Sequence, residues 1–169
     1  MILTPKSLTS DAFAPYGEVV DIHSAKKEFS MNYGMATRYF DLAEIDVKDK
    51  GGKACISLVK SNAITLPFEV EKMEYHPHGS QMFYPLCESP FLILVSTPAE
   101  TLDTSKLELF ISDGKQGVNY HKGVWHHYLM PLNDGSEFIV VDRNGNDENC
   151  IETNLDEKVV IEAPYESSY

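Results

Sequence analysis

The chain is short of positive charge. Its 14 Lys and Arg stand against 26 Asp and Glu, a formal net charge of −12. A surface that negative repels phosphate backbones, which argues against a nucleic-acid partner. A small anionic ligand stays compatible with it, because a few buried cations can dominate a pocket locally. Cysteine is scarce as well. Cys55, Cys87 and Cys150 form no CxxC pair, and an odd number points to free thiols in a reducing cytoplasm. Cys55 lies in the apolar run ACISLV and reads as core packing. No apolar run reaches membrane-spanning length. The opening MILTPKSLTSDAF lacks the basic and long apolar segments of a signal peptide. A cytoplasmic protein without a membrane partner is therefore expected. Internal repeats and low-complexity segments are missing, and helix signals are few. Thr9 or Ser10 can cap a short helix, which Pro15 limits.

What the sequence does hold is strand. The 169 residues fit one domain, 1–169, long enough to bury a core without disulfides. Leu107, Leu109 and Ile111 alternate with Glu108, Phe110 and Ser112. Phe138 to Val141 is apolar and β-branched, and the Asn133–Asp134–Gly135 turn before it reads as a hairpin. Ala54 to Val59, Gln81 to Leu86, Phe91 to Ser96 and His126 to Leu132 complete the set. Short strands separated by Gly, Pro, Asn and Asp predict an all-β sandwich or barrel. The stretch EIDVKDKGGK (44–53) reads as a loop ending in a Gly-Gly turn. From Asn146 the chain turns acidic, and a surface strand or tail is expected there, with an acidic tail from about residue 153 ending in EAPYESSY.

Two segments gather the histidines. EYHPHGSQMFYPL places Glu74, His76 and His78 at alternate positions, with Gln81 shortly after. On a strand those three side chains share a face. That pattern suits a metal cradle, and it equally suits an exposed hairpin with incidental histidines. GVNYHKGVWHHYLMP holds His121, His126 and His127, three of the six histidines. His126 and His127 are adjacent, so on a strand they face opposite ways and at most one joins the first cluster. Neither spacing is that of a zinc finger or an H-E-x-x-H protease. Three cations sit in or at the end of apolar runs: Arg38 in ATRYFDL, Lys60 after ISLV and Arg143 in VDRNGN. Each is a candidate for binding an anionic ligand, with Arg38 ranked first, because Arg grips a carboxylate with two parallel hydrogen bonds. Surface salt bridges are the alternative for each.

GVNYHKGVWHH followed by a strand and VDRNGNDENC resembles the C-terminal signature of the ureidoglycolate lyase family, also called ureidoglycolate hydrolase. LTSDAFAPYGEVV, NYGMATRYFDLA and HPHGSQMFYPL resemble the same family, in the same order. Tyr128 departs from it, standing where the family tends to have Pro after the His-His pair. The resemblance implies a cupin-type double-stranded β-helix, or jelly-roll barrel, with few short helices, assembled as a homodimer. It implies cleavage of ureidoglycolate to glyoxylate and urea in purine and allantoin catabolism. The cupin pattern then implies a ligand set of Glu74, His76, Gln81 and His126 for a divalent metal, nickel or zinc. The set departs from the usual three histidines and a glutamate, and Gln is a poor ligand for most transition metals. His121 or His126 is the expected base, partnered by Glu74, with Arg38, Lys60 and Arg143 as substrate-binding residues. Two other activities fit the same residues: hydrolysis of ureidoglycolate with release of ammonia, and non-catalytic binding of a small carboxylic acid. A sugar-phosphate isomerase of cupin fold fits less well, for want of the plain H-x-H with a following Glu.

Overall fold

Apolar residues at alternate positions, punctuated by turn formers, leave this chain little to build but strands. The computed structural model describes residues 1–163. In chain order its strands are β1 (Ile2–Leu3), β2 (Lys6–Ser7), β3 (Gly17–Val20), β4 (Lys27–Met31), β5 (Ala36–Phe40), β6 (Lys53–Ser61), β7 (Phe68–Tyr75), β8 (Gln81–Pro85), β9 (Phe91–Ser96), β10 (Glu108–Ser112), β11 (Gly117–Tyr120), β12 (Trp125–His126), β13 (Met130–Pro131), β14 (Ser136–Asn144) and β15 (Ile151–Ile161). A single α-helical turn, α1 (Ser10–Phe13), starts where the sequence places it. Thr9 Oγ1 accepts the Ala12 amide at 3.3 Å, and Phe13 is driven into the core. No helix among the described residues is long and apolar enough to cross a membrane.

One sheet runs β1-β15-β7-β12-β9-β10-β2, with β13 also on β9; the other runs β3-β11-β8-β14-β6. The inner core draws on both: Phe91, Ile93, Val95 and Phe110 from the first, Val118, Tyr120 and Phe138 from the second. The two sheets thus close on one another as an all-β barrel. A second core, with Leu92, Leu94, Leu109 and Trp125, lies on the outer face of the first sheet. Strand β9 is buried along its whole length because it serves both cores. The third paired element, β4 with β5, pairs only with itself and forms an arm.

The strands expected from periodicity lie where the sequence places them, with two differences in how they connect. The Asn133–Gly135 turn is present, with Gly135 at φ 72, but it does not make a hairpin. It carries the chain from β13, which pairs with β9, to β14, which pairs with β6 and β8 in the other sheet. The run His126 to Leu132 is interrupted at His127–Leu129, where the His127 ring turns back 3.0 Å from the Tyr128 carbonyl. The acidic C-terminal stretch forms β15 against β7 and β1, with Val159 and Ile161 buried. The last six residues, 164–169, lie outside the described residues.

Candidate active site

Register alone brings the polar residues together at one end of the barrel. His126 pairs with Val95 and with Glu74, and Glu74 pairs with Glu152. Directly paired residues share a sheet face. Val95 belongs to the inner core, so His126 and Glu74 also point inward. On the opposite sheet Tyr120 pairs with Gln81, and Asp142 with Cys55, one step beyond the core residues Val118 and Val140 along the same inward face. Two polar rows therefore face each other at the barrel mouth.

Four acceptor atoms converge there. Glu74 Oε1 lies 3.5 Å from His126 Nε2 and 4.0 Å from His76 Nε2. His76 Nε2 lies 3.1 Å from Gln81 Oε1. Backbone carbonyls fix both rings. His126 Nδ1 is 2.9 Å from the Val124 oxygen, and His76 Nδ1 is 2.6 Å from the Asn149 oxygen. A carbonyl only accepts, so each Nδ1 carries the proton and each Nε2 offers a lone pair. Gln81 is fixed likewise, its Nε2 donating to Asp142 Oδ2 at 3.4 Å and turning its oxygen to His76. His126 Nε2 is buried with no hydrogen-bond partner. Lone pairs aimed at one another repel unless a proton or cation stands between them.

That convergence is the test of the implied metal, and the residues pass it. The ligating atoms of Glu74, His76 and His126 all lie within 4.8 Å of one another. Two imidazoles and a carboxylate suit a borderline divalent cation, and Gln81 adds an amide oxygen. The Nδ1–H bonds to carbonyls are the outer support that orients ligating histidines. Glu74, Cys150 and Glu152 form a second such group, which shares Glu74 at the rim. A proton shared between His126 Nε2 and Glu74 supplies a hydrogen bond that outweighs burial and lowers the carboxyl pKa. Burial, then the His126 ring, lowers that of His76. The Cys150 thiol, donating to Glu74 Oε2 at 3.5 Å, is pushed up to about 11 by desolvation and by that carboxylate. Tyr120 stacks flat on His126, with centroids 4.3 Å apart and planes at 8°. Its buried phenol stays protonated, its pKa well above the ordinary value.

Of the residues singled out in the sequence, Glu74, His76, Gln81 and His126 come together. His78 does not: it turns to Asp147, 3.6 Å away, and its amide donates to Asn149 Oδ1. His121 follows the inward-facing Tyr120 and points away from the cluster. Its Nε2 lies 2.8 Å from Glu18 Oε1, in a neighbouring recess with Glu44, Asp46, Ser80 and Lys122. Lys60 pairs with Glu137 on the surface at 3.4 Å. Arg38 lies on the arm, its guanidinium 5.0 Å over the Phe40 ring. Arg143 borders the recess that holds His76 and Gln81, but its side chain is only 1% exposed and already engaged. Nε and Nη2 donate to the Asp49 carbonyl at 3.1 and 2.8 Å, and Nη2 to Asp147 Oδ1 at 2.8 Å. Gly52 and Gly145 press against it, and a Cβ at either would stand 2.3 or 2.4 Å from a guanidinium nitrogen. Cys55 is half-buried and inward-facing, its thiol donating to Asp142 Oδ1 at 3.1 Å. Tyr120, Asn149 and Cys150 complete the site, and the residue pattern did not single them out for it. Their only sequence signal was membership of the stretches NYH and DENC beside the histidines.

The family model described as ureidoglycolate lyase matches residues 1–162. Ureidoglycolate lyase of Burkholderia mallei (strain NCTC 10229) is 48% identical over 93% of this chain and 91% of its own. That of Pseudomonas syringae pv. tomato is 40% identical over 92% and 91%. That of Azotobacter vinelandii is 38% identical over 96% and 99%. Among solved structures, RmlC from Streptococcus suis in complex with dTDP-D-xylose aligns at a TM-score of 0.41 and 10% identity, covering 86% of this chain and 74% of that one. With one family model spanning nearly the whole chain and relatives of the same description matching it end to end, this protein belongs to the ureidoglycolate lyase family.

Proposed function

We propose that the protein is a ureidoglycolate lyase, cleaving ureidoglycolate to glyoxylate and urea. The observation that carries this reading is the meeting of the Glu74, His76, Gln81 and His126 acceptor atoms at the barrel mouth. In the substrate one carbon bears a hydroxyl, a carboxylate and the ureido nitrogen. Lysis removes the hydroxyl proton, forms the C=O of glyoxylate, and sends the C–N electron pair to nitrogen. That nitrogen takes up a proton and leaves as urea. Glu74, its carboxyl pKa lowered, is positioned to accept the hydroxyl proton and to return it to the departing nitrogen. The Val124 and Asn149 carbonyls keep His126 and His76 in one tautomer, so neither ring competes for that proton through Nδ1. Tyr120 covers one face of His126 and keeps water from it. His76, Gln81 and His126 would hold a divalent cation, nickel or zinc, with Glu74 beside it. When bound, such a cation supplies Lewis acidity that lowers the pKa of the substrate hydroxyl.

The test is to incubate the purified protein with ureidoglycolate, before and after chelation, and follow glyoxylate, urea and ammonia together. Equimolar glyoxylate and urea is the expected result, with loss on chelation and recovery on adding nickel or zinc. Glyoxylate with ammonia in place of urea would make it the hydrolase. No turnover with any divalent ion would sink the enzyme reading.

A further inference from the structure

The site as one chain builds it is short of a cation. A substrate carboxylate entering beside Glu74 also meets Asp142 and Glu152, and Glu44 and Asp46 line the recess next door. The nearby cations are already engaged: Arg143 by Asp49 and Asp147, Lys122 by Asp46 and Asp49, and Lys72 by Glu152. Arg38 stands apart from them. It is exposed and its guanidinium lies over Phe40, with no carboxylate in salt-bridge range among the described residues.

Arg38 belongs to the arm formed by β4 and β5, which pairs with no other strand among the described residues. Every residue of β4 is exposed, as are all of β5 except Tyr39. Phe29, Met31, Tyr33, Met35 and Phe40 are among the exposed large hydrophobics. A lone two-stranded hairpin is at best marginal in water. An arm this apolar and this free of its own barrel calls for another surface. The five-stranded sheet offers one. Its outward rows read Met82–Val141–Ile56 and Tyr84–Ile139–Leu58 across β8, β14 and β6. Ile56 and Leu58 are 76% and 73% exposed, and the other four are half-buried. A solvated sheet face is normally polar at these positions. Strand β6 also ends its sheet with nine residues and no neighbour on its outer edge.

Charge says which surface the arm meets at its far reach. Residues 26–40 carry Lys26, Lys27 and Arg38 against Glu28 alone, a positive arm on a chain of net charge −12. The barrel mouth is its complement. Each strand of the arm has five residues, so it extends about 17 Å. In a homodimer of the kind the family resemblance implies, with the two chains paired through the outer faces of their five-stranded sheets, we infer that each arm reaches the other's barrel mouth, where Arg38 grips the substrate carboxylate. A pair related by a two-fold axis uses both surfaces twice and closes on itself. The inference rests on the proposed reaction for the identity of the carboxylate, and on the arm and sheet for its geometry.

Subunit complementation tests it. Arg38→Ala alone raises KM steeply, and Glu74→Gln alone abolishes kcat. Heterodimers of the two, purified through different tags, carry one site with both residues if Arg38 acts across the interface. They then recover about half of the wild-type kcat per dimer, with wild-type KM. If Arg38 serves its own chain, no site is complete, and activity stays at the level of the parents, which overturns the inference. A second measurement does not depend on turnover. With Cys55 and Cys87 replaced by Ser, Arg38→Cys is treated with a short bis-maleimide that also reacts with Cys150, beside Glu74. Covalently joined pairs of chains are expected on a denaturing gel. Crosslinks confined to single chains, or sedimentation of the wild type as a monomer, would overturn it too. A wild type that joins its chains but turns nothing over would leave the arm in place and sink the proposed reaction alone.

Discussion

At the scale of the residue, the barrel mouth handles two histidines in opposite ways. His126 is buried, held in one tautomer by a carbonyl, and left with a free lone pair. His121, in the loop just after β11, is half exposed and paired with Glu18. That pair has a readable pH signature. The Glu18 hydrogen bond raises the pKa of His121 above the ordinary 6.5. Burial of Glu18 opposes ionisation, but hydrogen bonds from His121 and Asn119 outweigh it and hold its pKa below the ordinary 4.5. A raised pKa stabilises the fold below the unfolded value, and that gain is lost as pH rises through the folded one. A lowered pKa stabilises above the unfolded value, and that gain is lost as pH falls through the folded one. The pair therefore contributes in full between 4.5 and 6.5 and fades on either side. His121→Ala should cost no more than about 1 kcal/mol there, because solvent screens the pair. Thermal melts of variant and wild type should converge as pH is raised to about 9. A constant gap over that range would mean that His121 acts by packing and not by charge. The two histidines also mark what the sequence could say. Both stood out as candidate bases, and that His121 turns to Glu18 outside the cluster shows only in the fold. Spacing left His126 and His127 open, the family resemblance favoured His126, and its pairing with Glu74, between segments some fifty residues apart, brings it into the cluster.

At the scale of the element, the strands were legible because their period is local, while their sheet membership was not. The turn at Asn133–Gly135 looks like a hairpin turn in sequence and serves as a bridge between sheets in the fold. Arg143 carries the same lesson. It ends an apolar strand, which suits a ligand-binding cation, yet its guanidinium ties three loops together. It bonds the Asp49 carbonyl in the loop before β6 and Asp147 in the loop after β14, and it fills the space left by Gly79. The second of those loops carries Asn149, whose carbonyl orients His76. Arg143→Ala should therefore cost about 3 kcal/mol in urea unfolding, as breaking a buried ion pair does. Arg143→Lys should rescue little of it, since one ammonium cannot reach both acceptors in the guanidinium's fork. Both should lower kcat through His76. Unchanged stability with a raised KM would instead assign Arg143 to the substrate.

At the scale of the whole molecule, charge and apolar surface pull against each other. Two chains of −12 brought together carry −24, a repulsion that only an extensive apolar contact can offset. The outward rows of the five-stranded sheet and the apolar arm supply such a contact. Ile56 and Leu58 stand near its edge, exposed enough that aspartate there burdens the single chain very little. Ile56→Asp with Leu58→Asp should thus leave a folded chain with a normal circular dichroism spectrum, while sedimentation shifts from dimer to monomer. The double variant should lose activity by a rise in KM, as Arg38→Ala does, because a monomer keeps Glu74, His76 and His126 but has no second arm to meet the carboxylate. A double variant that stays dimeric would place the interface elsewhere. One that becomes monomeric and keeps its KM would separate the arm from catalysis.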